Sequence, residues 1–416
     1  VASPAIVLIG NESSVRTELF QTALRNRGLP KAHLVRYIDL LEGNVQLEKL
    51  LSPDTVIRIE SPGKDFAVEK ALLARGESQA KQEGFDFIPA QELLHLDFDK
   101  GRILAPRQWY HGYSSLLKEL KATLSNKGCH AIMNHPDDIL TMFDKRRCHQ
   151  IMQSCNIPTP RGVGPINSFE ELQEIMRQRR LAQVFVKLNH GSSASGVVAY
   201  RTNGKEHKAF STVEMVRCGG KLRLYNSRKI RTYNYMQEIA PLVDELCKND
   251  VHVEEWFPKA KIDGKIFDLR VLVVGGRAMH VVMRKSDSPF TNLHLLNSRG
   301  DCDGLRNKLG EARWNELLRC CEETVKIFDR SLYAGVDIMV ETNFRSHAVA
   351  EINAFGDHLN GVYWQGKDTY TAELDLLALT AERPIKDWAL NRPATMATKI
   401  GSRFTGGMRQ HLDIID

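Results

Sequence analysis

Apolar residues in the first 130 positions come in short runs, separated by longer stretches in which they recur every three or four residues. Ala5, Ile6, Val7, Leu8 and Ile9 form one such run, closed by Gly10 and Asn11, and Ser13 stands where it can cap a helix reaching to about Arg27. Gly28 ends that helix, residues 33–38 read as a second strand, and residues 55–59 as a third. Ser61, Pro62 and Gly63 then punctuate the chain before a helical stretch over 64–75. Strand, helix, strand, helix at this spacing predicts a small parallel sheet with crossover helices. Gly10 lacks further glycines at the offsets of a dinucleotide fingerprint, so that type of site is not indicated.

Residues 88–113 show no clear period and are expected to be loop. A helix is predicted over 114–126, a turn over 134–138, and one continuous helix over 139–155, broken by Pro158 and Pro160. Another helix covers 170–179. From Gln183 to about Gly361 strands dominate, over 184–187, 196–200, 251–257, 269–274, 278–283, 336–340 and 348–352, with one long helix over 309–330 between them. Residues 201–241 are hard to align, and the tail after Leu379 has little periodicity.

Composition changes this picture little. The chain has 416 residues, 42% hydrophobic and 26% charged, which is ordinary for a globular protein of two or three lobes that needs no disulfide or metal staples. A net charge of +6 fits an anionic ligand such as a nucleotide and is too small to argue for nucleic acid. The eight cysteines have no metal-type spacing and read as reduced thiols of a cytoplasmic protein. No basic region with a long apolar stretch precedes the first strand, and no run approaches the ~18 apolar residues of a membrane span, so neither a signal peptide nor a membrane partner is expected.

Three constellations carry candidate chemistry. Lys187 ends the apolar run Val184, Phe185, Val186, just before the small-residue loop Gly191, Ser192, Ser193, Ala194, Ser195, Gly196. An ammonium there supplies a point charge for phosphate, and small residues let backbone N–H groups approach the anion. The bland alternative is a surface lysine beside a hairpin loop. Second, Glu254 and Glu255 lie in the apolar strand Val251 to Phe257, beside Trp256, where two acids make sense facing a ligand with donors, or else as solvated acids on an edge strand. Third, Asp337 sits among Gly335, Val336, Ile338, Met339 and Val340, and Glu351 and Asn353 follow in the next strand, on one face of it. If the two strands pair as a hairpin, Asp337 lies across from them, and two carboxylates with an amide oxygen are the hard ligands Mg²⁺ takes. The competitor is an exposed polar sheet face, which the flanking Val, Ile, Met and Ala residues disfavour. Asp268 and Arg270 share one strand face before Gly275 and Gly276, and Arg284 and Asn292 follow; guanidinium forks at Arg270 and Arg284 suit phosphoryl oxygens.

Taken in order, these segments resemble the ATP-grasp superfamily from about Asp144 to Gly361, particularly ligases such as the ribosomal-protein glutamate ligase and glutathione synthetase; the nearest match is a bacterial ATP-grasp group that names no substrate. The resemblance implies an α/β (α+β) architecture of two α+β lobes clasping ATP, preceded by a small Rossmann-like parallel-sheet domain. The divisions expected are 1–125 for the N-terminal domain, 126–250 for the central lobe, 251–380 for the C-terminal lobe and 381–416 for a tail. By the same resemblance Lys145 and Lys187 are the two ATP lysines, Ser192 and Ser193 belong to the loop over the phosphates, and Glu254, Glu255 and Trp256 read adenine. Asp268 contacts the nucleotide; Asp337, Glu351 and Asn353 hold two Mg²⁺ ions, with Mn²⁺ as the substitute, Glu351 bridging. Arg270, Arg284 and Asn292 face the transferred phosphoryl. Two departures stand out: Phe290, Thr291 and Asn292 replace an Arg-Ser-Asn triplet, and Ala354, Phe355 and Gly356 replace a small-Pro-Gly turn.

The activity so implied joins a carboxylate, on a small molecule or peptide, to an amine through an acyl phosphate, releasing ADP and phosphate. Alternatives are a small-molecule kinase acting on a hydroxyl and a nucleotide-binding regulator without turnover. No nucleic-acid partner is expected, and homo-oligomerisation is left open.

Overall fold

The computed structural model describes residues 5–127 and 131–380; the predicted tail, 381–416, lies outside them. The chain opens as alternation predicts: β1 (Ile6–Gly10), α1 (Val15–Asn26), β2 (His33–Arg36), α2 (Tyr37–Leu41), β3 (Val56–Ile59), α3 (Phe66–Gln82), α4 (Ala90–Leu94), α5 (Pro106–Lys127) and β4 (Ala131–Ile132). The strands form a parallel sheet in the order β2-β1-β3-β4. Its fourth strand lies beyond residue 125, so the sheet continues past the expected division.

Two departures follow from packing. The stretch expected to be loop, 88–113, holds α4 and the first eight residues of α5. Gly112, poor for helix propensity, sits inside α5 because α5 crosses α3 at Gly76. A Cβ on Gly112 would run into the Leu72 carbonyl, and one on Gly76 into the Gln108 carbonyl. Gly76→Ala is therefore expected to push the helices apart and cost about 1–3 kcal/mol, measured as a lower urea midpoint; an unchanged midpoint would remove this contact from the account. The helix expected over 139–155 is split into α6 (Pro136–Phe143) and α7 (Lys145–Ser154) at Asp144, whose extended backbone ends the first and whose carboxylate caps the second through Arg147 N–H at 3.0 Å.

The central sheet is antiparallel throughout. It contains β5 (Gly162–Gly164), β6 (Gln183–Leu188), β7 (Val197–Thr202), β8 (His207–Cys218), β9 (Lys221–Tyr233) and β10 (Val251–Glu255), in the order β5-β10-β6-β7-β8-β9. Helices α8 (Phe169–Gln178) and α9 (Met236–Cys247) cover one face, burying Val184, Val186, Val198, Val251 and Val253. The stretch that resisted alignment, 201–241, is chiefly the long β8–β9 hairpin and the start of α9.

The C-terminal sheet holds β11 (Lys261–Ile262), β12 (Lys265–Val274), β13 (Arg277–Ser286), β14 (Ser298–Arg299), β15 (Tyr333–Val340) and β16 (His347–Asn353), in the order β14-β13-β12-β15-β16 with β11 on β12. The long helix expected over 309–330 is instead α10 (Cys302–Leu309) and α11 (Glu311–Lys326), broken at Gly310, whose φ of +76° no helix accommodates. The last helix is α12 (Thr369–Thr380). Alternation divides β12 and β15 cleanly. Leu269, Val271, Val336 and Ile338 enter a core shared with α10 and α11, while Leu272, Val274 and Tyr333 on the opposite face pack against the parallel sheet. That same opposite face continues into Asp268, Arg270 and Asp337. No helix among the described residues is long and apolar enough to cross a membrane.

Candidate active site

The central and C-terminal sheets turn charged faces toward a common cleft holding about 690 Å³ of open space. On the C-terminal side, register builds the wall. Arg299 pairs with Arg284, Arg284 with Asp268, Arg270 with Asp337, and Asp337 with Glu351, so one strip of sheet carries a charge at nearly every strand. On the central side Lys187 and Phe185 share a face of β6, with Glu254 beside them on β10. Phe185 meets Trp256 at 5.2 Å and Phe290, from the C-terminal lobe, at 5.9 Å, giving the cleft an aromatic end.

Lys145 reaches the cleft from the N-terminus of α7. Three cations, Lys145, Arg146 and Arg147, occupy that first turn, where the helix dipole is itself positive. The local conflict is resolved by the Asp144 cap and by contacts elsewhere: Arg146 pairs with Asp250, and Lys145 donates to Gly191 O at 2.6 Å and to Glu351 Oε1 at 2.7 Å. An anion in the cleft would meet both the helix terminus and the ammonium.

The remaining charges form a connected array. Lys187 is ion-paired with Glu254. Burial alone would raise the Glu254 carboxyl, but the Lys187 charge and the His252 ring override it and hold it at about 2. Arg284 binds Asp268 at 2.7 Å and Asp337 at 3.2 Å, and Arg270 forks onto Asp337 through Nε and Nη2. Burial opposes ionisation of Asp337 as well, yet these two guanidinium groups keep it below the usual carboxylate range. The loop over the cleft carries Ser193 and Ala194 at φ +55° and +58°, consecutive left-handed residues that bear a Cβ.

Nine of the residues singled out in the sequence line the cleft: Lys145, Lys187, Ser193, Glu254, Asp268, Arg284, Asn292, Asp337 and Glu351. Five other candidates do not line it. Arg270 stands behind Asp337; Trp256 packs on Phe185; Glu255 turns to Arg161 at 3.2 Å; Ser192 is exposed, its carbonyl bonded to Ser195 N–H; and the Asn353 amide donates to Gly335 O at 3.4 Å. Lys259 was missed. It lies 3.4 Å from Asp268 and 3.0 Å from Thr291 Oγ1, and burial draws its ammonium below the usual lysine range against the pull of Asp268. The only signal for it was a lysine two residues after Phe257. Thr291, in place of an expected serine, hydrogen-bonds Asp268.

No family model and no curated protein matches the sequence. Solved structures do match in shape. The chain superposes on the macrocyclase MdnC from Microcystis aeruginosa MRC, bound with precursor peptide MdnA, with TM-score 0.51 and 11% identity, covering 90% of this chain and 99% of that one. D-cycloserine synthetase DcsG matches with TM-score 0.51 and 12% identity over the same shares. The ATP-grasp ligase PsnB, complexed with precursor peptide PsnA2 and AMPPNP, aligns at TM-score 0.46 and 13% identity, over 91% of this chain and 99% of that one. The chain has the ATP-grasp fold. The cleft lies between the central and C-terminal sheets, and Lys145, Lys187, Glu254, Asp337 and Glu351 reach it in chain order.

Proposed function

We propose that this ATP-grasp chain is an ATP-dependent carboxylate–amine ligase that forms an amide through an acyl phosphate and releases ADP and phosphate. The observation that carries the reading is the convergence of Lys145, Lys187 and Lys259 on a cleft whose far wall presents Asp337 and Glu351 side by side. Lysine ammonium groups suit the phosphates, and the aromatic end at Phe185 and Trp256 suits a base lying near Glu254. The macrocyclase MdnC, bound with a precursor peptide, and D-cycloserine synthetase DcsG share the fold, in keeping with a peptide or small-molecule substrate.

The donor set fits Mg²⁺. Asp337 and Glu351 oppose one another across the ladder and both line the cleft, so the hard oxygen ligands that the cleft itself offers a cation are these two carboxylates, Asn353 standing outside its lining. Among the described residues no group of three or more His, Cys, Asp or Glu side chains gathers for a metal, which argues against a closed structural site of that kind. A bound divalent ion would neutralise charge building on the phosphoryl oxygens. The chain's own residues do the rest. Lys145 and Lys187 exchange Glu351 and Glu254 for phosphate oxygens, and Arg284 holds Asp268 and Asp337 rigid behind them. The substrate carboxylate attacks the γ-phosphorus as the bond to the β-phosphate oxygen breaks; the amine then attacks the acyl carbon, phosphate leaves, and the nitrogen gives up a proton. Positioning and electrostatics supply most of the rate, and no enzyme nucleophile is needed.

The test is ADP formation by purified protein with ATP and Mg²⁺ across pooled amino acids, other carboxylates and short peptides, with masses read on the products. Substrate-dependent ADP and a product equal to the two substrates minus water are expected. A product heavier by one phosphoryl group would make it a kinase, and tight nucleotide binding with no turnover in any pool would favour a regulator.

A further inference from the structure

Behind the two lysines the cleft continues into a second hollow of about 330 Å³, with Met142, Met152 and Ile352 on its apolar side and His149 and His252 on its polar side. His252 lies on β10 directly opposite Lys187 on β6, and Glu254, two residues on, shares its face. The imidazole is only 3% exposed, and neither ring nitrogen makes an aligned hydrogen bond among the described residues. Leaving a buried donor and acceptor unused is costly, so such a ring calls for an explanation. Its Nε2 stands 3.4 Å from Glu254 Oε2, while the other carboxylate oxygen, Oε1, is held by Lys187.

His149 keeps this ring from moving away. The His149 Nε2 bonds the Pro160 carbonyl at 2.7 Å, and its ring lies 5.0 Å from that of His252. On the far side Gly162 presses so close that a Cβ there would come within 2.9 Å of His149 Cε1. His252 thus has the anchored His149 ring on one side, with Glu254 and the hollow also beside it.

We propose that His252 is a positioning residue for nucleotide recognition: when Lys187 leaves Glu254 for the phosphates, His252 Nε2–H donates to the freed carboxylate and keeps it turned toward the base. The inference rests on the proposed roles of Lys187 and Glu254. Its physical basis is the cost of stranding a charge. Glu254 is 4% exposed, and without Lys187 it would be a buried carboxylate whose nearest partner is His252 Nε2, 3.4 Å away and not yet aligned as a hydrogen bond. A shift of about half an ångström brings Nε2 into hydrogen-bond range and supplies that partner.

Calorimetric titration of the full chain with AMPPNP and Mg²⁺ tests this on wild type, His252→Phe and His252→Gln. The phenyl ring fills the space without a donor, and the amide restores one. Affinity is expected to fall about tenfold in the Phe variant and to return within about threefold in the Gln variant, and the preference for AMPPNP over GMPPNP is expected to narrow only in Phe. Wild-type affinity in His252→Phe overturns the proposal. So does equal weakening in both variants that follows their loss of thermal stability, because that is a packing role. Should the Phe variant not fold, the ¹⁵N imidazole spectrum of wild type decides: a His252 Nε2 signal that moves on AMPPNP addition supports the handover, and one that stays overturns it. Absence of any AMPPNP binding by wild type would instead bring down the nucleotide reading itself, and this proposal with it.

Discussion

Glu351→Gln is expected to lower ADP formation about a thousandfold, roughly 4 kcal/mol of transition-state stabilisation, while leaving the fold intact. Glutamine keeps the shape of the side chain and removes its charge. That charge balances Lys145 at 2.7 Å and faces Asp337 across the ladder, where the proposed divalent ion needs two carboxylates. The stability cost should be small, because the Glu351 side chain is 31% exposed and a partly solvated ion pair contributes about 1 kcal/mol or less. Lys187→Ala should reduce turnover as severely, but for two reasons at once. It removes a proposed phosphate ligand, and it takes the Lys187 partner from Glu254, so its urea midpoint should also fall. Assaying ADP release beside urea unfolding separates the two variants. Turnover within about tenfold of wild type in either one would take that residue out of the site.

Arg58→Met is expected to cost about 3–5 kcal/mol of stability. The Arg58 side chain is fully buried, reaching Glu60 at 2.7 Å, Asp357 at 2.5 Å and Glu373 at 2.6 Å, with its guanidinium 4.3 Å from the centre of the Phe20 ring. One side chain thereby joins β3 of the parallel sheet, the turn after β16 and α12. Methionine fills the volume but leaves the three carboxylates facing Arg16 alone, which pairs with Asp357. The cluster also gives stability a pH dependence of definite sign. Burial pushes the Glu373 carboxyl up to about 8, against the pull of Arg58. A carboxyl raised in this way keeps its proton in the folded chain while the unfolded chain has lost it. Stability from this group therefore falls as pH rises from the ordinary carboxylate range to about 8, then levels off. Arg58→Met should extend that fall to higher pH, and Glu373→Gln should flatten it, both read from unfolding midpoints across the range. An Arg58→Met midpoint equal to that of wild type would show that the buried charges find other partners.

Because Asp357 follows Asn353 by four residues, this cluster also holds the end of the strand that carries Glu351. Stability and site are thus tied together through one short turn. There Gly356 packs against Gly335 so closely that a Cβ on Gly335 would lie 2.7 Å from the Gly356 Cα. This contact gives a reason why the last position of the small-Pro-Gly pattern is kept as glycine at Gly356, while Phe355 stands where the pattern has proline.

Much of the candidate site was legible because strands declare their faces. Asp337, Glu351 and Asn353 stood out as polar residues in apolar runs, and a period of two put Asp268 with Arg270 and Glu351 with Asn353 from sequence alone. The parallel sheet was legible for the same reason, since short apolar runs and Gly or Pro stops are local signals. Other features depended on partners distant in sequence. Helix α5 begins at Pro106 despite weak local signals because Gly112 can nestle against α3, and Gly310 divides what periodicity joined into one helix. Lys259 gained its importance only when β12 and Thr291 brought Asp268 to it, and His252 read as one more residue of a buried strand until register set it between Lys187 and Glu254. Nothing local in the sequence marks Arg58 and Glu60 as buried; Arg58 is sealed in with Asp357 and Glu373, about three hundred residues away. Alternation and punctuation, being local, settled the kinds of element and the faces they present. Which charges meet, and which are sealed from water, was decided by the tertiary structure, because the energy of a charge depends on neighbours and burial that no local window contains.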